Sequence, residues 1–348
     1  MSSETDPVPG ISIVIASYDS ARWLPSTIGS IVTALERSTL SAEIVVVDDG
    51  STDDTPAVLA EIAATAPVPV RVVTQENQGR FRARWEGAQA ARSRRLFLFD
   101  SRLLLDADAF RHLEELDPQL PADQAWNGHV PTDPAAPLVG RFWEVPTHLF
   151  WGGYLAHPAV TEITPENFDR VPKGTGCLVI DKDLFVEACL AIWPEDNAAL
   201  VSDDTKLLRY VVERRTLRLD PGFRALYRPR VTVPGFLHHA YDRGTLFVDS
   251  YAGTGAVRDI ALIGLVVAPP VAVVVFVVAL VFGVSWLAWL IPALVVLGLV
   301  APAVAASFRA APGRAVLSYL VYVVPFGFSF WRGLVRGLRV HRGAFRRR

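Results

Sequence analysis

The chain has 348 residues, 51% of them hydrophobic and 20% charged, with a formal net charge of −2. That length predicts about two domains, and the composition excludes both a disordered chain and a basic nucleic-acid-binding domain. The average conceals a division: residues 1–259 hold 25 basic and 36 acidic residues, whereas nine arginines and no acid follow Asp259. The polar, acidic stretch 1–10 reads as a flexible N-terminus and lacks the pattern of a signal peptide, so the soluble part is expected to stay in the cytoplasm. Then come ISIVIA at 11–16, a helical pattern over 21–37, IVVV at 44–47, a second helix marked by Val58, Leu59 and Ile62, PVRVV at 69–73, a helix over about 80–93, and RLFLF at 95–99. Strands and helices alternating in this way predict an α/β fold with a mainly parallel sheet.

In such sheets ligands bind at the carboxyl ends of the strands. Ser17, Tyr18, Asp19, Asp48, Asp49 and Asp100 all fall at that edge. Cys177 and Cys189 are too few for a disulfide framework or a Cys-rich zinc site, and suit a reducing compartment.

Four blocks in order, ISIVIASYDSARWLPSTIGSI, EIVVVDDGSTDDT, NQGRFRARWEGAQAA with LFLFDSR, and GTGCLVI followed by SDDTKLLRYV, span roughly residues 10–245. Together they resemble the family 2 glycosyltransferases, which implies a GT-A fold over 11–245 and inverting transfer from a nucleotide-sugar donor. The resemblance implies donor contacts from Ser17, Tyr18 and Asp19, from Asp48 or Asp49 to base or ribose, and from Arg84 to the diphosphate or base. Trp85 stands where the family usually has Asn. Asp100-Ser101-Arg102 occupies the place of an Asp-x-Asp motif that holds Mn²⁺ or Mg²⁺ on the diphosphate. With Arg102 in place of the second Asp, three readings stay open. The first has Asp100 bind metal together with a later ligand such as His239; the second has Arg102 itself stabilise the diphosphate; the third is a non-catalytic scaffold.

Gly174, Thr175 and Gly176 resemble the acceptor-side segment, and the pair Asp203-Asp204 resembles the carboxylates that open a helix, with Asp204 as general base. His238, His239 and Arg243 lie in a stretch resembling the family's closing segment.

Residues 246–259 read as a linker. Ile260 to Ser307 carries no charge and suffices for two transmembrane helices, near 260–282 and 286–307. In segment 308–331 the apolar stretch Ala315 to Trp331 follows Arg309 and Arg314 and precedes the basic tail 332–348. Positive flanks on both sides favour a re-entrant or interfacial segment over a third span, with the tail cytoplasmic. The expected protein is thus bound to a bacterial plasma membrane and passes sugar to a lipid-linked or envelope-glycan acceptor, polyprenyl phosphate being the alternative. Sequence leaves the oligomeric state open.

Overall fold

A computed structural model describes residues 8–116, 124–193 and 204–346. In chain order its first half contains β1 (Ile11–Ser17), α1 (Leu24–Glu36), β2 (Ala42–Asp48), α2 (Thr55–Thr65), β3 (Val70–Thr74), α3 (Arg80–Ala90) and β4 (Arg95–Asp100). There follow β5 (Leu103–Leu105), α4 (Ala109–Leu116), β6 (Ala125–His129), α5 (Glu144–Ala156), β7 (Thr161–Ile163), β8 (Cys177–Asp181), α6 (Lys182–Ala191), α7 (Thr205–Val212) and β9 (Leu217–Tyr227). The C-terminal part is helical: α8 (Val233–Tyr251), α9 (Ala256–Val281), α10 (Ser285–Ser307) and α11 (Gly313–Val340).

Two compact units emerge. The first comprises residues 1–133 and 158–228, the second 134–157 and 229–348. Residues 134–157 and 229–245, expected within the soluble domain, therefore group with the C-terminal helices.

In the first unit the strands run in the order β3-β2-β1-β4-β8-β6-β9-β5, with β7 also on β9. β1 to β4 are mutually parallel, as the alternation predicts, while β8 runs antiparallel to β4 and β6. The central strands are continuous runs of Ile, Val, Leu and Phe because both faces of a covered parallel sheet are dry. Ile13, Ile44, Phe97 and Phe99 are fully buried in one core with Leu24, Ile28 and Ile31 of α1. The chain leaves β1 towards β2 and β3 and returns to place β4 on the opposite side. The switch point thus lies between β1 and β4, where a crevice opens beyond the strand ends. Register sets Ser17 opposite Asp48 and Ala16 opposite Asp100.

In the second unit α9, α10 and α11 are each long and apolar enough to cross a membrane. The expected linker 246–259 is mostly helix, since α8 runs to Tyr251 and α9 starts at Ala256. The apolar segment and the start of the basic tail also form one uninterrupted helix, α11, because arginine is a good helix former and adding charge along one face does not end a helix. α8 and α11 cross almost backbone to backbone: a Cβ on Gly244 would meet the Phe330 carbonyl, and one on Gly333 the Tyr241 carbonyl. Thr245 Oγ1 adds a bond to the Gly333 carbonyl at 3.2 Å.

Candidate active site

The strand ends of the first unit are tied together by carboxylates that accept backbone N–H groups. Beyond β1, Asp19 adopts φ 45°, and its Oδ1 accepts from Thr52 N at 2.8 Å and Asp53 N at 3.3 Å. Asp48 is buried at the end of β2 and accepts from Ser51 N at 3.2 Å. Gly50, at φ 71°, makes the turn, and a side chain there would press on Asn77 N. Asp49 is also buried, and both of its oxygens are engaged by the segment before α3: Oδ1 by Gln75 Nε2 at 2.6 Å and Gln78 N at 2.8 Å, Oδ2 by Gly79 N at 2.8 Å. The two neighbouring acids thus differ. Asp49 fixes the 75–79 loop, while Asp48 faces the strand edge across β1 from Asp100, about 10 Å away at two strand spacings.

Asp100 closes β4, with its Oδ1 accepting from Arg102 N at 3.1 Å. The Arg102 guanidinium reaches towards Arg228 and Trp23. Its Nε donates to the Arg228 carbonyl at 3.0 Å and its head stacks over the Trp23 ring at 4.7 Å. Arg228 stacks on the same ring at 4.8 Å and donates to the Trp23 carbonyl at 3.3 Å. Burial pulls the Arg228 pKa down, against the opposing charges of Asp133 and Asp100. Arg228 is thus a second cation at this corner, and no motif in the chain marks it. Asp100 is the carboxylate at this corner that could hold a divalent cation. Among the described residues no three His, Cys, Asp or Glu side chains come together as a metal site.

On the other side of β4, Asp100 N donates to the Gly176 carbonyl at 2.9 Å, which fixes the loop before β8 against the strand end. Thr175, fully buried, donates through its N–H at 3.0 Å and through its hydroxyl to Asp204 Oδ1. Arg84 from α3 is 3% exposed and donates to Thr175 Oγ1 at 2.5 Å, with Asp204 Oδ1 4.0 Å away. Arg80 Nη2 lies 3.8 Å from Asp204 Oδ2. Asp204 occupies the position before the first turn of α7, yet its carboxylate does not cap that helix. It reaches across to Thr175 and keeps 29% of its side chain exposed, enough for a ligand hydroxyl to approach. Asn127, buried on β6, clamps Gly174 from below, donating to its carbonyl at 2.6 Å. Asn127 also escaped the sequence reading, because a lone amide in a strand carries no pattern.

Lys173, just before this loop, donates to the Phe168 and Val171 carbonyls and sits 4.0 Å over the Phe168 ring. Burial pushes its pKa down to about 8, despite the charge of Asp169.

Asp203 lies outside the described residues. Tyr18 is exposed beside the buried Ser17. Trp85 packs edge-on to Trp193 at 5.0 Å, an aromatic seat between α3 and the end of α6. His239 belongs to α8, in the second unit, where its Nε2 lies 3.4 Å from Arg243 Nε.

Residues 12–130 match the model of glycosyl transferase family 2. The succinoglycan biosynthesis protein ExoO of Rhizobium meliloti is 38% identical over 112 residues, 32% of this chain and 30% of that protein. The glycosyltransferase AglD of Haloferax volcanii is 35% identical over 109 residues, 30% of this chain and 17% of that protein. The chain thus spans less than a third of either relative. Among solved structures, the mannosyltransferase PcManGT of Pyrobaculum calidifontis, in complex with GDP-Man and Mn²⁺, superposes with a TM-score of 0.53 at 17% identity, covering 92% of this chain and 88% of that one. The shared fold is GT-A.

Proposed function

From the premise that residues 12–130 form a family 2 glycosyltransferase domain, we propose that the chain transfers a sugar from a nucleotide-diphosphate donor to a hydroxyl acceptor, with inversion and with Asp204 as general base. One observation carries this reading. The loop Gly174–Gly176 is bonded at one end to Asp100 and at its centre to Asp204, which supports a donor-side carboxylate and a base held by one segment.

Asp48 accepts from the base or a ribose hydroxyl, and the loop held by Asp49 shapes that side of the crevice. Asp100 would hold a divalent cation, such as the Mn²⁺ bound to PcManGT, whose chemistry is to neutralise charge on the leaving diphosphate. Asp204 takes the proton of the acceptor hydroxyl as its oxygen bonds to the anomeric carbon. The bond from that carbon to the diphosphate oxygen breaks on the opposite face. Arg80 and Arg84 hold the Asp204 carboxylate in place, and Thr175 orients it.

The apolar helices α9 and α10 support anchoring in a membrane, and the arginines clustered after Asp259 support a cytoplasmic placement of the basic tail, and with it of the catalytic domain. A lipid-linked or envelope-glycan acceptor follows from that anchoring, in keeping with the name of the succinoglycan relative. Transfer to polyprenyl phosphate would instead give a product labile to mild acid.

The test is release of nucleoside diphosphate from a set of sugar nucleotides by the purified full chain with membrane-lipid extract. Asp204→Asn is expected to lose at least about 100-fold in rate, the contribution of a positioned general base, with its melting transition preserved. Wild-type turnover in Asp204→Asn would refute the assignment.

A further inference from the structure

Three helices satisfy the length and apolarity of a membrane span, yet their contacts do not describe three spans. If α9 and α10 cross a bilayer as a hairpin, Ile260 and Ser307 lie at one face and the turn at Gly283 at the other. A third span leaving that first face at Gly313 would reach the far side by Trp331, about 24 Å along the helix from Ala315 at 1.5 Å per residue. Trp331 would then sit beside the last turns of α9.

It does not. The Trp331 indole Nε1 donates to the Val266 carbonyl at 3.0 Å, and Val266 is only about 9 Å along α9 from Ile260. Phe330 and Leu334 share a small core with Leu262 and Val266. The beginning of α11 is at the same level: Ala315, Tyr319 and Val323 share a core with Ala303 and Ala306, in the last turns of α10. Both ends of α11 therefore touch the hairpin near its open end.

The Trp331 bond has a cause of its own. Pro270 has no N–H, so the carbonyl four residues earlier, that of Val266, loses its helical donor. An unsatisfied carbonyl is costly in hydrocarbon, and the indole supplies the missing bond.

We infer that α11 lies in the plane of the membrane surface, as a lipid-facing interfacial helix across the base of a two-span hairpin. This rests on the reading of α9 and α10 as membrane-crossing. One face of α11, through Tyr319, Val323 and Gly333, is buried in the second unit. The other face exposes Leu317, Val321, Val324 and Phe328 at helical spacing, continuing into the exposed Arg332 and Arg339. Apolar side chains giving way to arginines on an exposed stripe fit acyl chains below and anionic headgroups beside them.

Membrane sidedness and depth decide the question independently of any transferase assay. Single cysteines at Arg314, Arg342 and Ser285 are all at exposed positions, while native Cys177 and Cys189 are buried and give the blank. With an impermeant maleimide on spheroplasts and on inverted vesicles of the expression host, Arg314→Cys and Arg342→Cys should label from one side and Ser285→Cys from the other. In vesicles of phosphatidylethanolamine and phosphatidylglycerol, nitroxides at 317, 324 and 328 should report one common shallow depth. Labelling of Arg342→Cys together with Ser285→Cys, or a depth that grows steadily from 317 to 328, would overturn the inference. Labelling of all three from one side would remove the hairpin on which it stands.

Discussion

The two units solve opposite problems of burial. The sheet unit buries charge and satisfies it: Glu43, fully buried on β2, accepts from Ser12 Oγ at 2.7 Å, Arg92 N at 2.7 Å and Arg92 Nε at 3.0 Å, and Asp49 takes three donors. The helical unit leaves apolar surface exposed along α9 and α10, and spends a tryptophan N–H on one orphaned carbonyl. In the first unit, then, polar groups fix loop geometry around a site. In the second, the exposed faces of α9 and α10 are apolar, and a few polar bonds, from Trp331, Thr245 and Ser318, help to position α11.

Breaking the buried charges of the sheet unit should therefore cost most. Glu43→Gln removes the carboxylate that joins β1, β2 and the Arg92 turn. It should destabilise the fold by about 3 kcal/mol, the low end for a broken buried pair because Arg92 can reach water. Denaturant unfolding measures this. The same residue gives a pH signature. Burial would raise the Glu43 pKa, but the bonds from Ser12 and Arg92 and the Arg92 charge outweigh it and hold the pKa below the ordinary value. The folded state thus favours the ionised form. The stability it contributes is present above the unfolded glutamate pKa of about 4.3 and is lost as pH falls through the lower folded value. Glu43→Gln should flatten that part of the acid limb.

Asp49→Asn should cost less, about 1–3 kcal/mol, because the amide keeps one acceptor and leaves one of the Gln78 and Gly79 N–H groups unsatisfied. Its sharper effect should be weaker nucleotide binding, read by calorimetry, since the 75–79 loop loses its anchor.

How legible each unit was follows from the same contrast. The periods of β1 to β4 and α1 to α3 could be read because apolar runs alternate with turn residues, and the acids at the strand ends follow those runs directly. Asp204 could be placed only through the resemblance. Its partner Thr175 is 29 positions away, and Asn127, 47 positions before Gly174, has no local pattern. At Arg102 the motif leaves open a lost metal ligand or a substitute cation; the stacking on Trp23 and the place of Arg228, 126 residues further on, depend on how β9 returns beside β5. In the helical unit composition revealed the apolar helices, but the position of α11 depends on which turns meet.

Smaller effects probe the helical side. Trp331→Phe should cost about 0.6 kcal/mol, typical of a hydrogen bond between membrane helices. In a Pro270→Ala background, where residue 270 regains its N–H, the cost should nearly vanish; a double-mutant cycle in detergent reads the coupling. In the sheet unit, Lys173→Met should change the pH dependence of stability. Because the native pKa is about 8 and the unfolded one about 10.4, the folded chain sheds this proton first, so stability gains a rising component between those values. Melting temperatures across that range should rise less steeply in Lys173→Met than in wild type.

The central claim is that the crevice between β1 and β4 is a nucleotide-diphosphate site. Its most direct test is the melting of the purified full chain in detergent with UDP, GDP, dTDP or no nucleotide, each with Mn²⁺ or EDTA. One nucleotide at 100 times its dissociation constant should stabilise the fold by about 2.7 kcal/mol, with the shift lost in EDTA if Asp100 holds the metal. The absence of a shift with every nucleotide would contradict the account.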